Sequence, residues 1–370
     1  MYKKQSLMRM ENETLHLIAL NFIPGVGPRT AKKLISLAGS AKEFFLLADN
    51  LKIAGVKAKD LTGKSLKSYL QKAEDELNNG AKNGIRAINY LESDYPFRLS
   101  ACEDAPLVLH CRGKMDLNAS RTIAIVGSRS ATSYGNRVCD EFITEMARLN
   151  CTLVSGLAYG IDSFAHKAAD KIGIQNVGVV AHGLDIIYPG SNLKLSKSME
   201  NFGGVVSDFP TGTKPDRENF PKRNRIIAGL ADAVIVVEAG KKGGALITAD
   251  IASAYNRDVF AVPGRIDDSM SEGCNRLIKN NRAAILSSVK DLSWYMGWDG
   301  QKESQQTSLF SSATDEEKKI LSFIRNGNNH PDLLSVNAEM PVSKVNALLL
   351  GLEFKGLIQA LPGKKYQLIG

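Results

Sequence analysis

Between residues 122 and 264 the chain repeats one pattern: a short apolar run that stops at a glycine or a small polar cluster, followed by a stretch with helical spacing. Thr122–Val126 stops at Gly127-Ser128-Arg129, Thr152–Val154 at Ser155-Gly156, and Val177–Ala181 at Gly183. Val205-Val206 stops at Ser207-Asp208, Ala233–Val237 at Glu238-Ala239-Gly240, and Val259–Val262 at Pro263-Gly264. Strands alternating with helices of about 10–15 residues fold into a parallel, doubly wound sheet. Ligands of such sheets collect at the carboxyl ends of the strands, which is where the glycines and small polar residues fall.

The stretch Phe220–Leu230, just before the Ala233–Val237 run, carries Lys222, Arg223 and Arg225 within four residues, opened by Phe220-Pro221 and continued by an apolar helical run. Cations at a helix start face phosphate readily, because the terminal N–H groups and the helix dipole point the same way. Arg129 is expected over the first strand and Arg223 or Arg225 over a neighbour, so the strand ends converge on an anion pocket.

The type of anion is narrowed by what the sequence lacks. No G-x-G-x-x-G follows the first strand and no acidic residue closes the second, which excludes the usual dinucleotide cofactor; no P-loop motif exists either. The run Glu238–Thr248 has the Gly-rich look of nucleotide phosphoribohydrolases, but the PGGxGTxxE spacing that carries their carboxylate is not reproduced. A hydrolase using Asp162, Asp185 or Glu238 is the competing reading, and a scaffold that binds only proteins is a third. In a polyanion site such carboxylates serve instead to orient cations or cap helices. His166 and His182 read as structural.

Taken together, Gly127–Arg129, Ser155–Asp162, Gly183–Pro189, Phe220–Leu230, Leu246–Thr248, Ala261–Gly264 and Gly273–Asn275 resemble, in order, the motifs of the DNA-processing protein A (DprA/Smf) family. The resemblance implies a Rossmann-like domain that binds single-stranded DNA without chemistry or cofactor, pairs as a homodimer through that domain, and helps load RecA recombinase on incoming DNA during natural transformation. Carried over by position, Ser128 and Arg129 hold phosphate at the first strand end, and Ser155 and Gly156 add contacts at the second. Phe220, Lys222, Arg223, Asn224 and Arg225 supply stacking, charge and hydrogen bonds. Two positions depart from the family pattern: Gly243-Gly244-Ala245 lacks the hydroxyl usual before Leu-Ile-Thr, and Tyr159 fills a slot that is basic in some relatives. Tyr188 is a candidate for stacking on a base or for simple loop packing.

The flanks differ in character. Residues 1–80 are expected to form a helical domain of helix-hairpin-helix type, centred on Ile23-Pro24-Gly25-Val26-Gly27-Pro28, with a weaker echo at Ile53–Lys57. Such a hairpin can approach a DNA phosphate or serve as a packing module. Residues 81–298 hold the sheet, with 84–90 and 107–111 as an antiparallel extension, and the polar segment 299–312 reads as a linker. Residues 313–370 carry a helix at Asp315–Arg325, a second at Pro341–Phe354, and a two-stranded ribbon turning at Pro362-Gly363, the pattern of a winged helix. Its Pro341–Phe354 helix offers only Lys344 as a cation, which favours partner binding or dimer support over duplex reading.

Composition adds bounds. The chain has 370 residues, is 44% hydrophobic, and carries a formal charge of +8, so nucleic-acid affinity has to come from local patches. The five cysteines form no CxxC pair, which argues against structural zinc and fits a reducing compartment. The first ten residues lack the apolar core of a signal peptide and no run is long enough to span a membrane, so a cytoplasmic location is expected.

Overall fold

The computed structural model describes residues 13–48, 56–298, 314–325, 329–355, 357–361 and 365–368. Most of the echo at Ile53–Lys57, the linker at 299–312 and the Pro362-Gly363 turn lie outside them. The chain divides into two compact units, Met1–Leu292 and Ser293–Gly370.

The first unit is built on a sheet of nine strands among the described residues: β1 (Arg86–Asn89), β2 (Val108–Lys114), β3 (Thr122–Val126), β4 (Thr152–Ser155), β5 (Asn176–Val179), β6 (Gly203–Ser207), β7 (Ala233–Val236), β8 (Asp258–Ala261) and β9 (Ala284–Ile285), in spatial order β1-β2-β6-β5-β4-β3-β7-β8-β9. From β6 to β9 every pairing is parallel, whereas β2 runs antiparallel to β6 and β1 antiparallel to β2. The antiparallel extension and the parallel series therefore stand as the sequence implied. Residues of β3, β4, β5, β6 and β7 are buried throughout, because helices cover both faces of a parallel sheet and leave no polar side for alternation. The order reverses between β3 and β7, so the carboxyl ends of these two strands flank the crevice where such folds place ligands.

Helices follow from local signals. Thr132 caps Ser133–Arg148 by accepting the Gly135 N–H at 3.2 Å, and Val138, Phe142 and Met146 repeat every four residues on its buried face. Ile161–Ile172 stops at Gly173 in the left-handed conformation, φ 82°. The helices Leu193–Met199, Gly244–Ala254 and Glu272–Lys279 were not separately anticipated: their small residues and short lengths give weak helical periodicity.

The N-terminal segment packs helices 13–21, Pro28–Ala38, Ala41–Leu47 and Gly63–Lys82 around Leu17, Phe44, Leu66 and Tyr69, and this core continues onto Leu107 and Val108 at the sheet edge. The Gly63–Lys82 helix runs just past the expected domain limit at residue 80. In the hairpin, Gly25 at φ 84° closes the first helix and Gly27 caps the second through backbone alone. Arg98, 3% exposed, joins Asp232 at 2.5 Å and donates to the carbonyls of Ala119 and Ser120, which ties the Phe97–Ser100 turn to the start of β3.

The second unit has helices at Asp315–Arg325, Pro331–Ala338 and Val342–Phe354, then an antiparallel ribbon of Ile358–Leu361 and Lys365–Leu368, around a core that includes Leu321, Leu334, Val345 and Leu349. This is a winged helix. Its middle helix was missed in the sequence, where Ser, Val and Asn lower the local propensity; Pro331 in its first turn and the His330 cap start it.

Under the sheet, His166 is fully enclosed with its Nδ1 2.8 Å from Asn176 Oδ1. Burial pushes its imidazole pKa down to about 4. Because the unfolded imidazole titrates near ~6.5, the unfolded chain takes up this proton first as pH falls, and stability is lost between ~6.5 and ~4. Denaturant titrations at about pH 7 and about pH 5 are expected to differ by about 2 kcal/mol from this group alone, and His166→Gln to remove that share; an identical pH slope in the variant contradicts it.

Candidate functional site

A cleft of about 340 Å³ opens at the carboxyl ends of β3 and β7. Its walls include Ser128 and Arg129 after β3, Ala239, Gly240, Lys242 and Gly243 after β7, and Phe220, Arg223, Asn224 and Ile227 from the Asn219–Leu230 helix. The spacing 220, 223, 224, 227 is one face of that helix, so its periodicity decides which basic residues meet the cleft. Arg223 does; Lys222 and Arg225 turn to the other side and line a separate groove with Pro106, Asp208 and Phe209.

Arg223 is 4% exposed and donates to the carbonyl oxygens of Gly156, at 2.5 Å, and Val179, and through Nε to Asn224 Oδ1 at 3.2 Å. It thereby joins the ends of β4 and β5 to the helix. Burial pushes its pKa down to about 10, which still leaves it charged at neutral pH. Burial also raises the Asp162 carboxyl, and Arg223 is the strongest influence in the opposite direction. The two side chains lie close together beneath the cleft without forming a direct salt bridge. Gly156 makes room for this pair: a Cβ there would meet both the Asp162 carboxylate and the Arg223 guanidinium.

Arg129 is exposed and stands over the Phe220 ring at 5.0 Å, with the Arg223 guanidinium 5.9 Å from the same ring. Arg129 and Lys242 form no salt bridge among the described residues, and the Arg223 donors go to backbone carbonyls, so these two carry the cleft's uncommitted positive charge. Opposite them, the Gly244–Ala254 helix begins at Gly243 without a side-chain cap, which leaves its first N–H groups for an incoming acceptor. Asn224 Nδ2 donates to Gly244 O at 3.3 Å and fixes that helix start against the other. The arrangement favours an anion joined to a flat group that can lie on the guanidinium.

The remaining expected site residues are engaged in other contacts. The Ser155 hydroxyl is buried and donates to Ile125 O at 2.6 Å, so it braces β4 against β3. Arg225 pairs with Asp208 and donates to Asp104 O. The Ser128 hydroxyl accepts from the Ser130 N–H at 3.1 Å and thus shapes the loop that presents Arg129. Tyr188 is 43% exposed, its ring 6.3 Å from Phe220. Lys242 and the Gly244 helix start were passed over in the sequence, although Lys241-Lys242-Gly243-Gly244 after β7 repeats the small-and-basic pattern seen after β3.

The carboxylates are engaged. Glu238, 1% exposed, accepts from the Thr132 N–H at 2.9 Å and from its hydroxyl, at the start of the Ser133–Arg148 helix. Asp185 accepts the Gly212 N–H at 3.0 Å and ties two loops. His182 accepts from the Tyr188 N–H through Nε2 at 3.2 Å, with Nδ1 on Gly183 O; burial lowers its pKa, so it stays neutral.

Fold and site together define a Rossmann-like protein with a basic cleft at the switch point and a winged-helix unit. A family model described as DNA recombination-mediator protein A matches residues 86–297, and one described as DprA winged helix domain matches residues 304–364. The chain is 31% identical to Protein Smf of Synechocystis sp., over 96% of its own length and 99% of that protein's. It resembles the X-ray structure of DNA processing protein A from Streptococcus pneumoniae (TM-score 0.58, 33% identity, 72% of this chain and 93% of that one). It also resembles DNA processing protein A from Helicobacter pylori, a structure whose subject is single-stranded DNA binding (TM-score 0.53, 26% identity, 58% and 96% covered). The chain belongs to the DNA-processing protein A (DprA/Smf) family.

If Asp162 serves the scaffold and Arg129 the ligand, the two separate in a stability assay. Asp162→Ala is expected to cost about 1–3 kcal/mol, since it removes a buried carboxylate beside the Arg223 guanidinium, while exposed Arg129→Ala stays within about 0.5 kcal/mol of the native value. Equal losses in denaturant titrations contradict this division.

Proposed function

We propose that this protein binds single-stranded DNA in the β3/β7 cleft, protects it, and passes it to RecA recombinase during DNA uptake and recombination, without chemistry on the strand and without a cofactor. The observation that carries the reading is Arg129: an exposed guanidinium with no carboxylate partner among the described residues, set over Phe220 beside Lys242 and an uncapped helix start. Phosphate takes the cations and N–H groups, and bases stack on the guanidinium and aromatic faces; because every base has such a face, the grip is indifferent to sequence. The Helicobacter pylori relative, by its title, binds single-stranded DNA, and the family's description as a recombination mediator supports delivery to a recombinase. Pairing of two copies through the sheet-bearing unit is part of the proposal.

The nucleotide hydrolase reading has less support. Glu238 and Asp185 are spent on capping and loop contacts, and Asp162 lies under Arg223.

The test is Arg129→Ala combined with Lys242→Ala. Losing two phosphate contacts is expected to weaken binding equally across base sequences and to reduce the slope of log K against log salt by about 1.4 for a single strand. Native affinity and slope in the double variant contradict the assignment. Faster assembly of RecA on a coated strand in the presence of the native chain, and not of the double variant, tests the delivery step.

A further inference from the structure

We infer that the strand leaves the cleft across Arg129 and Tyr159 and enters a second subsite walled by Asn136, Phe164 and Lys167, which holds a phosphate and its base. The inference rests on the single-strand reading above and adds a direction to it. Phe220 and Arg129 line both the cleft and a narrow gap beside it, and Arg129 and Tyr159 line both that gap and a shallow groove of about 340 Å³ beyond. The three depressions are therefore contiguous. Gly160 is what brings their borders together: at φ 77°, it packs so closely on Ser128 O and the Arg129 backbone that a Cβ would collide with both, and this sets Tyr159 beside Arg129.

The groove carries the chemistry that a polynucleotide needs. Tyr159 is 49% exposed and offers a ring face. Lys167 is exposed on the Ile161–Ile172 helix and forms no salt bridge among the described residues. Asn136 Oδ1 is buried with no hydrogen-bond partner in the structure, an acceptor that a base edge or an ordered water can satisfy. Asn192, bonded to Leu157 O at 2.9 Å and Ser163 Oγ at 2.7 Å, holds the far wall.

The opposite exit is less favourable. The groove under Lys222 contains Asp208, whose Oδ2 is taken by Arg225 and whose Oδ1 is buried without a partner. A phosphate entering there meets an incompletely compensated carboxylate, whereas the Lys167 groove has no carboxylate among its walls.

Oligothymidylates of about 4 and about 16 nucleotides bracket the site sizes of single-strand-binding folds. Binding of both to the native chain, to Lys167→Ala and to Lys167→Glu is compared at two salt concentrations. The native chain should hold the longer strand more tightly. Lys167→Ala is expected to weaken the longer strand about tenfold and lower its salt slope by about 0.7, as for one lost phosphate contact on a single strand, with Lys167→Glu weaker still and the shorter strand unchanged. Equal weakening at both lengths, no weakening at either, or a native chain indifferent to length overturns the second subsite. If the native chain binds neither strand, the single-strand reading itself fails and takes the subsite with it.

Discussion

The candidate site depends on one buried guanidinium. Arg223 lies near Asp162 beneath the cleft and spends its donors on the carbonyls that end β4 and β5. A guanidinium is suited to this because it stays charged even when burial draws its pKa down, and its planar fork reaches several acceptors at once. Arg223 fixes the Asn219–Leu230 helix against the strand ends, and that in turn sets Phe220 under Arg129. The charge that a ligand can use is therefore not the charge that holds the site together. Arg129 and Lys242 can be given over to binding because the scaffold does not need them.

The same separation is seen in the carboxylates near the strand ends. Glu238 stands two residues after the end of β7, and its oxygens go to Thr132. A carboxylate held by the N–H and hydroxyl of Thr132, the residue that caps the Ser133–Arg148 helix, has its charge spent on the scaffold. The same economy is seen at the edge of the sheet, where Glu76 accepts from the Thr211 N–H and hydroxyl and lies 3.6 Å from His110, tying the N-terminal helices to the loop after β6.

Much of the fold was legible. Continuous apolar runs such as Thr122–Val126 and Ala233–Val236 can be little else than central parallel strands, and the small clusters that end them mark the ligand side of the sheet. Ser128, Arg129, Phe220, Arg223 and Asn224 do come together there. What sequence could not assign is the direction in which a side chain spends its hydrogen bonds. Ser155, Gly156 and Arg223 look like ligand contacts when read as types, and the structure shows that they also brace the strand ends; Arg225 is two positions from Arg223 and faces the other groove because a helix turns about 100° per residue. The Gly244 helix start was hidden for a related reason: an uncapped, glycine-rich turn has no side chain to advertise it. The Pro331–Ala338 helix was missed because propensity is a weak guide where packing of Leu334 and Ala338 decides.

The central claim is that the cleft selects a single-stranded polynucleotide rather than a free nucleotide or a duplex. Fluorescence anisotropy of the native protein with a labelled single strand, the matching duplex, and a mononucleotide competitor, each at two salt concentrations, tests it most directly. The account predicts tight, salt-sensitive binding of the single strand, weaker binding of the duplex, and no displacement by the mononucleotide at matched phosphate concentration. Displacement by the mononucleotide, with no preference for polymer, would contradict it and make the cleft a nucleotide site.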